Sequence, residues 1–297
     1  MILVTGGSGF IGGSLIRELG DEAIDLRRSS STRRDTTVLF DLTRTDKAQE
    51  LVGLLRGYDI DAIVHTASVT PWSEAVDWSL NLDMARTLVE VCNVLSVPRL
   101  IFLSGWNVYD MAGDPPFNEL TPTDPDTPYG ISKLETERLF ESRLGSTRLV
   151  NLRAASIYGP GQESSGLITN AVYGALSQRS IEARGGDIRR DYLYIDDLTA
   201  CIHKLCYIDT TGHQYINVGS GASITVRDVV NYVAEAFTRL NDGTSVELKV
   251  DGGGDGLRDN RLDIRYAQSL GLLQRTTPFE EGSKRYMEWV MNREDIL

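Results

Sequence analysis

Residues 1–19, MILVTGGSGFIGGSLIREL, decide the fold. Ile2 to Val4 form a short apolar run, Gly6, Gly9 and Gly12 follow in G-x-x-G-x-x-G spacing, and Ile11, Leu15, Ile16 and Leu19 recur at helical intervals. A strand, a glycine turn and a helix therefore succeed one another without a spacer. In that context a glycine-rich loop cradles a dinucleotide: the glycines let a pyrophosphate approach the backbone, and the helix N-terminus offers unpaired N–H groups and the positive end of its dipole. A tight strand-to-helix connection without a ligand is the plainer alternative. A mononucleotide loop would need Lys-Ser or Lys-Thr after the last glycine, whereas Gly12 is followed by Gly13 and Ser14.

Outward from this unit the same alternation continues. AIDL begins at Ala23, VLF at Val38 and AIV at Ala62; a helix follows around Leu82–Leu95, then LIFL at Leu100, a helix from Tyr129 to about Arg143, and RLVNL at Arg148. Continuous apolar strands separated by helices predict an α/β fold, a doubly wound parallel sheet of the Rossmann kind. Residues 1–158 are expected to form the dinucleotide-binding domain, with a returning segment near 190–218. Residues 159–297 are expected to be mainly a smaller C-terminal substrate-binding domain, with a Gly-rich loop at 251–256. Five of the nine prolines lie in 110–128, which predicts a structured loop before the helix at Tyr129.

The 297 residues, 41% hydrophobic and 24% charged, suffice for a full core and exclude intrinsic disorder. Thirty basic against 42 acidic residues leave a net charge of −12, a field that repels polyanions and argues against nucleic acid as a partner. Cys92, Cys201 and Cys206 lack CxxC spacing and the three histidines form no HExxH, so buried free thiols and no metal are expected. With no basic segment before an apolar N-terminal stretch and no run of membrane-spanning length, a cytoplasmic protein with no membrane partner is expected.

An acidic side chain at the end of the second strand accepts from the ribose hydroxyls of NAD, whereas an arginine there pairs with the extra phosphate of NADP. Here the segment is Asp25-Leu26-Arg27-Arg28-Ser29, with Asp25 expected to point elsewhere. Arg27, Arg28 and Ser29 therefore predict NADP, with NAD as the alternative; a solvated basic turn is the plainer reading. Tyr129-Gly130-Ile131-Ser132-Lys133 sets a phenol and an ammonium at i and i+4, on one helix face. Lowering a phenol from ~10 to about 7 needs roughly 4 kcal/mol, which one positive charge at ~4 Å in an effective dielectric of ~20 supplies. The spacing thus permits general acid catalysis by Tyr129, with Lys133 alone nearly sufficient to lower its pKa. Twelve tyrosines and five lysines give a chance Y-x-x-x-K about 0.2 times; a surface pair is the plainer alternative.

Taken in order, TGGSGFIGG at Thr5, Asp41-Leu42, HTAS at His65, Asn81, VY at Val108, YGISK at Tyr129 and YGPG at Tyr158 resemble the extended short-chain dehydrogenase/reductase family. RRDYLYIDDL at Arg189, INVGSG at Ile216 and RDNRLD at Arg258 resemble its nucleotide-sugar epimerase and dehydratase branch, so the likeness spans almost the whole chain. The resemblance implies that Gly6, Gly9, Phe10, Ile11 and Gly12 form the cofactor loop and that Asp41 and Leu42 meet the adenine. It assigns Thr66, Ala67 and Ser68 to the cofactor diphosphate and ribose, with Asn81 in the same site. Tyr129 becomes the proton donor or acceptor, and Lys133 holds the nicotinamide ribose. Arg190, Tyr192 and Arg258 are implied to hold a substrate nucleoside diphosphate. A homodimer packed through the helices near Leu82–Leu95 and Tyr129–Arg143 is also implied.

Two positions depart from the family. A Ser or Thr hydroxyl normally stands a few residues before the VY pair, where this chain has Gly105; Ser104 is the expected catalytic replacement, with Asn107 as an alternative donor. Ser156 stands where sugar-nucleotide members carry an Asn that contacts the substrate. The resemblance, with Arg27 and Arg28 setting the direction, implies NADPH-dependent reduction of a keto group on a nucleotide-activated (deoxy)sugar. The alternatives are a nucleotide-sugar epimerase using tightly bound NAD and a non-catalytic dinucleotide-binding sensor. A dehydratase is disfavoured, because that chemistry uses an acidic pair where Trp106 and Asn107 stand.

Overall fold

Each of the six apolar runs is a strand in the computed structural model of the chain, which describes residues 1–29, 35–71, 73, 76–163, 166–209, 214–252 and 259–293. The strands are β1 (Ile2–Thr5), β2 (Ala23–Arg27), β3 (Thr37–Leu39), β4 (Ala62–His65), β5 (Arg99–Gly105) and β6 (Arg148–Ala154). Later come β7 (Ser156–Tyr158), β8 (Ser180–Ala183), β9 (Arg189–Arg190), β10 (Tyr192–Tyr194), β11 (Gln214–Val218), β12 (Ile224–Thr225) and β13 (Glu247–Val250). The helices are α1 (Phe10–Leu19), α2 (Ala48–Leu55), α3 (Ser79–Leu95), α4 (Pro128–Arg143) and α5 (Leu167–Tyr173), then α6 (Ile195–Tyr207), α7 (Val226–Leu240), α8 (Arg265–Ser269) and α9 (Phe279–Met291).

Seven strands form one parallel sheet in the order β11-β6-β5-β4-β1-β2-β3. The chain winds outward from β1 to β3, then crosses back to β4 and winds the other way. That reversal opens a crevice at the carboxyl ends of β1 and β4, where Thr5 is in register with His65. Both faces are covered, which explains why the strands read as continuous apolar runs: successive side chains enter opposite cores. Ile2, Val4, Ile101, Leu103, Val150 and Leu152 pack with Leu15 of α1 and Leu198 and Ile202 of α6. Leu3, Ile24, Ile63, Leu100 and Phe102 pack instead with Leu51 of α2, Leu88 of α3 and Phe140 of α4. Cys92, Cys201 and Cys206 are buried and free.

Beyond β6 the chain builds three two-stranded pairs, β7 with β10, β9 with β12 and β8 with β13. α7 is held at its N-terminus by a reciprocal cap between Thr225 and Asp228, which lets Val229, Val230 and Val233 pack with Tyr286 and Met287 of α9. In the proline-rich loop, Phe117 N donates to Arg261 O at 2.9 Å and Asp263 N to Phe117 O at 2.8 Å, so the loop is pinned to the segment before α8. No helix among the described residues is long and apolar enough to cross a membrane.

Candidate active site

The turn between β1 and α1 is fixed by close backbone approach. Gly6 has φ +74°, and a Cβ there would stand 2.8 Å from Ala67 N; a Cβ on Gly12 would stand 2.3 Å from Gly6 O. Only glycine lets the loop, the first turn of α1 and the segment after β4 come together this tightly. Thr5 stitches the same edge: its Oγ1 accepts from Ala67 N at 3.2 Å and pairs with His65 Nδ1 at 2.8 Å, while Thr66 Oγ1 donates to Thr5 O at 2.6 Å. Burial first, then the Lys133 charge, push His65 down to about 3, so its ring is a neutral structural group stacked on Phe102. A helix N-terminus above glycines that no Cβ obstructs fits a dinucleotide pyrophosphate.

The end of β2 differs from the sequence expectation. Asp25 is turned away from the exposed strand end and buried beneath the loop, where a Cβ on Gly7 would meet its Oδ1, and it holds Arg27 there in a short ion pair. Arg27 also donates to Gly7 O at 3.3 Å, so its guanidinium braces the loop from below. Arg28 and Ser29 are exposed at the strand end. Asp41 closes its own turn, with Oδ1 accepting from Thr43 N at 3.0 Å and Thr43 Oγ1 at 2.8 Å, and Leu42 O accepts from Thr87 Oγ1 at 2.8 Å.

Thr127 caps α4 by accepting from Gly130 N at 3.1 Å, and Pro128 occupies the first helical turn, so Tyr129 and Lys133 emerge on one face from a fixed start. Lys133 is buried; its Nζ donates to Leu103 O at 2.8 Å and lies 4.9 Å from the Phe102 ring centroid and 5.5 Å from that of Tyr129. Burial lowers Lys133 to about 8, against the pull of Glu137 one turn on. Tyr129 corrects the expectation of a lowered pKa. Burial pushes its phenol up to about 12, with only a hydrogen bond to Ser68 opposing it. An ammonium at the phenol oxygen in a moderately polar medium would lower that pKa. The structure aims it at the Leu103 carbonyl and desolvates both groups.

Tyr129 and Lys133 open onto a cavity of about 560 Å³. Phe10, Ile11, Thr66 and Ser68 line it from the side of the glycine loop; Ser104, Gly105, Trp106 and Asn107 line it from the end of β5. Ser156, Arg190 and Tyr192 face it from the later segments, as do Gln162 and Leu167, which the sequence did not single out. Ser104 Oγ, Asn107 Oδ1 and Gln162 Oε1 are buried there without a hydrogen-bond partner. Asn81 stands behind the wall: its Oδ1 accepts from Val69 N at 2.7 Å and its Nδ2 donates to Ser132 Oγ at 2.9 Å, clamping α3, α4 and the segment after β4. Arg258 lies outside the described residues.

Asp191 is a positioning residue that motif reading passed over. Lying between Arg190 and Tyr192, it accepts from Ser220 N at 2.8 Å, Ser220 Oγ at 2.7 Å and Leu262 N at 3.2 Å, while Asn260 Oδ1 accepts from its N–H at 2.8 Å. It thus ties RRDYLYIDDL to INVGSG and RDNRLD. Burial pushes its carboxyl up to about 6 in spite of these donors.

Residues 2–219 match the profile of the NAD dependent epimerase/dehydratase family. The chain is 26% identical over 313 residues to a UDP-glucose 4-epimerase of Mycolicibacterium smegmatis, covering 98% of each chain. It is 27% identical over 257 residues to a dTDP-4-dehydro-6-deoxyglucose reductase of Escherichia coli, covering 78% of this chain and 80% of the relative. Among solved structures it is similar to MoeE5 in complex with UDP-glucose and NAD, with a TM-score of 0.81, 26% identity and 98% of each chain covered.

Proposed function

From the chain's membership of the NAD dependent epimerase/dehydratase family, we propose that it reduces a keto group on a nucleotide-activated deoxysugar with NADPH. The observation that carries this reading is the convergence of Tyr129 and Lys133 on the cavity beside the glycine cradle. A phenol held near 12 carries its proton at neutral pH, which suits it to protonating the oxygen of a carbonyl as that carbonyl is reduced. A bound nicotinamide supplies or accepts the hydride. Lys133, cationic below about 8, holds the nicotinamide ribose. Gly6, Gly9, Phe10, Ile11 and Gly12 hold the pyrophosphate, with Thr66, Ala67 and Ser68 opposite and Asp41 and Leu42 toward the adenine. Ser156, Arg190 and Tyr192 are assigned to the nucleotide sugar, on segments that mainly form the substrate-binding half. Two copies pairing through α3 and α4 complete the reading.

Support for NADPH comes from Arg28 and Ser29, exposed at the end of β2 where the adenosine ribose of a dinucleotide bound to this loop falls. Arg27, committed to Asp25, positions that strand end. Arg28→Ala should therefore weaken NADPH about tenfold or more while changing NADH about threefold at most, measured by cofactor fluorescence titration. Equal weakening of both would remove the case for NADP. Gly12→Ala should abolish binding of either cofactor with the sheet intact by circular dichroism, because the added methyl meets Gly6 backbone at 2.3 Å.

The deciding experiment denatures freshly purified protein, identifies any released dinucleotide, and then assays oxidation of NADPH with dTDP-4-dehydro-6-deoxyglucose. Cofactor-free protein that oxidises NADPH supports the reductase. Stoichiometric NAD carried through purification, with interconversion of UDP-sugar epimers and no net NADPH oxidation, replaces it with the epimerase.

A further inference from the structure

Asn107 lies on the turn Trp106–Val108 after β5 and lines the cavity with Gly105, Tyr129 and Lys133. Its Oδ1 is buried, has no hydrogen-bond partner, and stands 2.7 Å from the point a Cβ on Gly105 would occupy. Its main chain is equally confined, because Asn107 O stands 2.2 Å from the point a Cβ on Gly130, next to Tyr129, would occupy. Two glycines on different elements thus make room for one asparagine. Left without a partner this end of the carboxamide opposes folding; a half-turn about the Cβ–Cγ bond exchanges Oδ1 for Nδ2, so the same end of the side chain can donate to an acceptor oxygen of a ligand in the cavity. Ser104 also lines the cavity with an unpaired Oγ, but alternation along β5 gives its side chain a different direction from a Cβ on Gly105, so Asn107 and not Ser104 fills that space.

We propose that Asn107 is the second hydrogen-bonding group at the reaction centre, its carboxamide filling the space that Gly105 leaves beside Tyr129. This rests on the reductase reading. A carbonyl oxygen has two lone pairs, and Tyr129 addresses one of them. In the reduction, the carbon gains a hydride from the reduced nicotinamide, which is thereby oxidised, and the oxygen gains the Tyr129 proton, which solvent restores. The Asn107 Nδ2 hydrogens stabilise the oxygen as charge builds on it, but an amide does not give up its proton, so Tyr129 delivers the proton without a relay.

Five proteins test this: wild type, Asn107→Ala, Gly105→Ser, the double variant, and Asn107→Asp, which keeps the shape but lacks the N–H donors. The readouts are urea stability, NADPH affinity, and kcat and KM with dTDP-4-dehydro-6-deoxyglucose. Asn107→Ala and Asn107→Asp should lower kcat about 10²-fold with NADPH affinity within about twofold of wild type. Gly105→Ser alone should lower both stability and kcat, whereas added to Asn107→Ala it should raise kcat about tenfold by supplying a hydroxyl in the same space. A kcat for Asn107→Ala within about threefold of wild type, or a Gly105→Ser stability cost equal in both backgrounds, overturns the proposal. If the wild type turns over no keto sugar with either cofactor, the reductase reading fails by itself. The Asn107 role is then decided by UDP-glucose binding to NADP⁺-loaded protein, where about tenfold weakening in Asn107→Ala upholds it and unchanged affinity overturns it.

Discussion

Replacing Lys133 with Met should lower turnover by a factor of about 10² or more and leave the protein as stable as before, or more stable. Both effects have one origin. The ammonium is 5% exposed, donates to the Leu103 carbonyl at 2.8 Å, and is driven by burial from 10.5 down to about 8. Between pH 8 and 10.5 the unfolded chain holds a proton on this side chain that the folded protein does not, so stability rises with pH through that window. Below about pH 8 the whole penalty applies, on the order of 3 kcal/mol. Methionine has similar length and no charge; it gives up the hydrogen bond to Leu103, the cation–π contact with Phe102 and the attraction of Glu137, which the relief from desolvation offsets. Thermal melts should favour the variant at about pH 7, with the difference narrowing by about pH 10. A variant that melts well below wild type at neutral pH would make Lys133 a structural cation.

Arg153→Ala should cost about 3–5 kcal/mol. The guanidinium is 3% exposed and forks onto Glu137, Nε to Oε1 at 3.1 Å and Nη2 to Oε2 at 2.7 Å. It is sandwiched between the rings of Tyr109 and Tyr215, 4.8 and 4.2 Å from their centroids. Burial disfavours its charge, yet the hydrogen bonds and charge of Glu137 hold it above the ordinary arginine value. Truncation strands the Glu137 carboxylate in the interior and opens a cavity between two tyrosines. The double variant Glu137→Gln/Arg153→Met should recover most of the loss, because no charge is then left uncompensated. Urea midpoints with unchanged m-values measure both; an Arg153→Ala cost below about 1 kcal/mol would sink the argument. The pair also reaches the site, since Glu137 follows Lys133 by one turn of α4 and favours its protonated form.

The sheet was legible in the sequence because its signals are local. A strand buried on both faces needs an unbroken apolar run, a pyrophosphate loop needs glycine where backbones meet, and a Tyr-x-x-x-Lys pair shares a helix face by helical geometry alone. Helix α2 and the final strand of the sheet, β11, carry weaker local patterns. β11 is defined by its register on β6, Ile216 beside Leu152, a partner 64 positions earlier in the chain.

The charge states in the site were not legible, because desolvation and direction depend on neighbours remote in sequence. Tyr129 rises where spacing predicted a fall, since the cavity wall dries it and Leu103 captures the ammonium. Arg27 read as a cofactor contact, yet tertiary packing folds it under Gly7 in an ion pair with Asp25. Asn107 and Gly105 read as a missing hydroxyl, and only the turn after β5 shows one filling the space of the other. By itself the sequence determined the sheet, the cradle and the reactive pair, all set by periodicities within a few residues. Tertiary structure decided which charges are dry and which polar atoms lack partners, because burial is a property of the assembled fold and no segment of chain carries it alone.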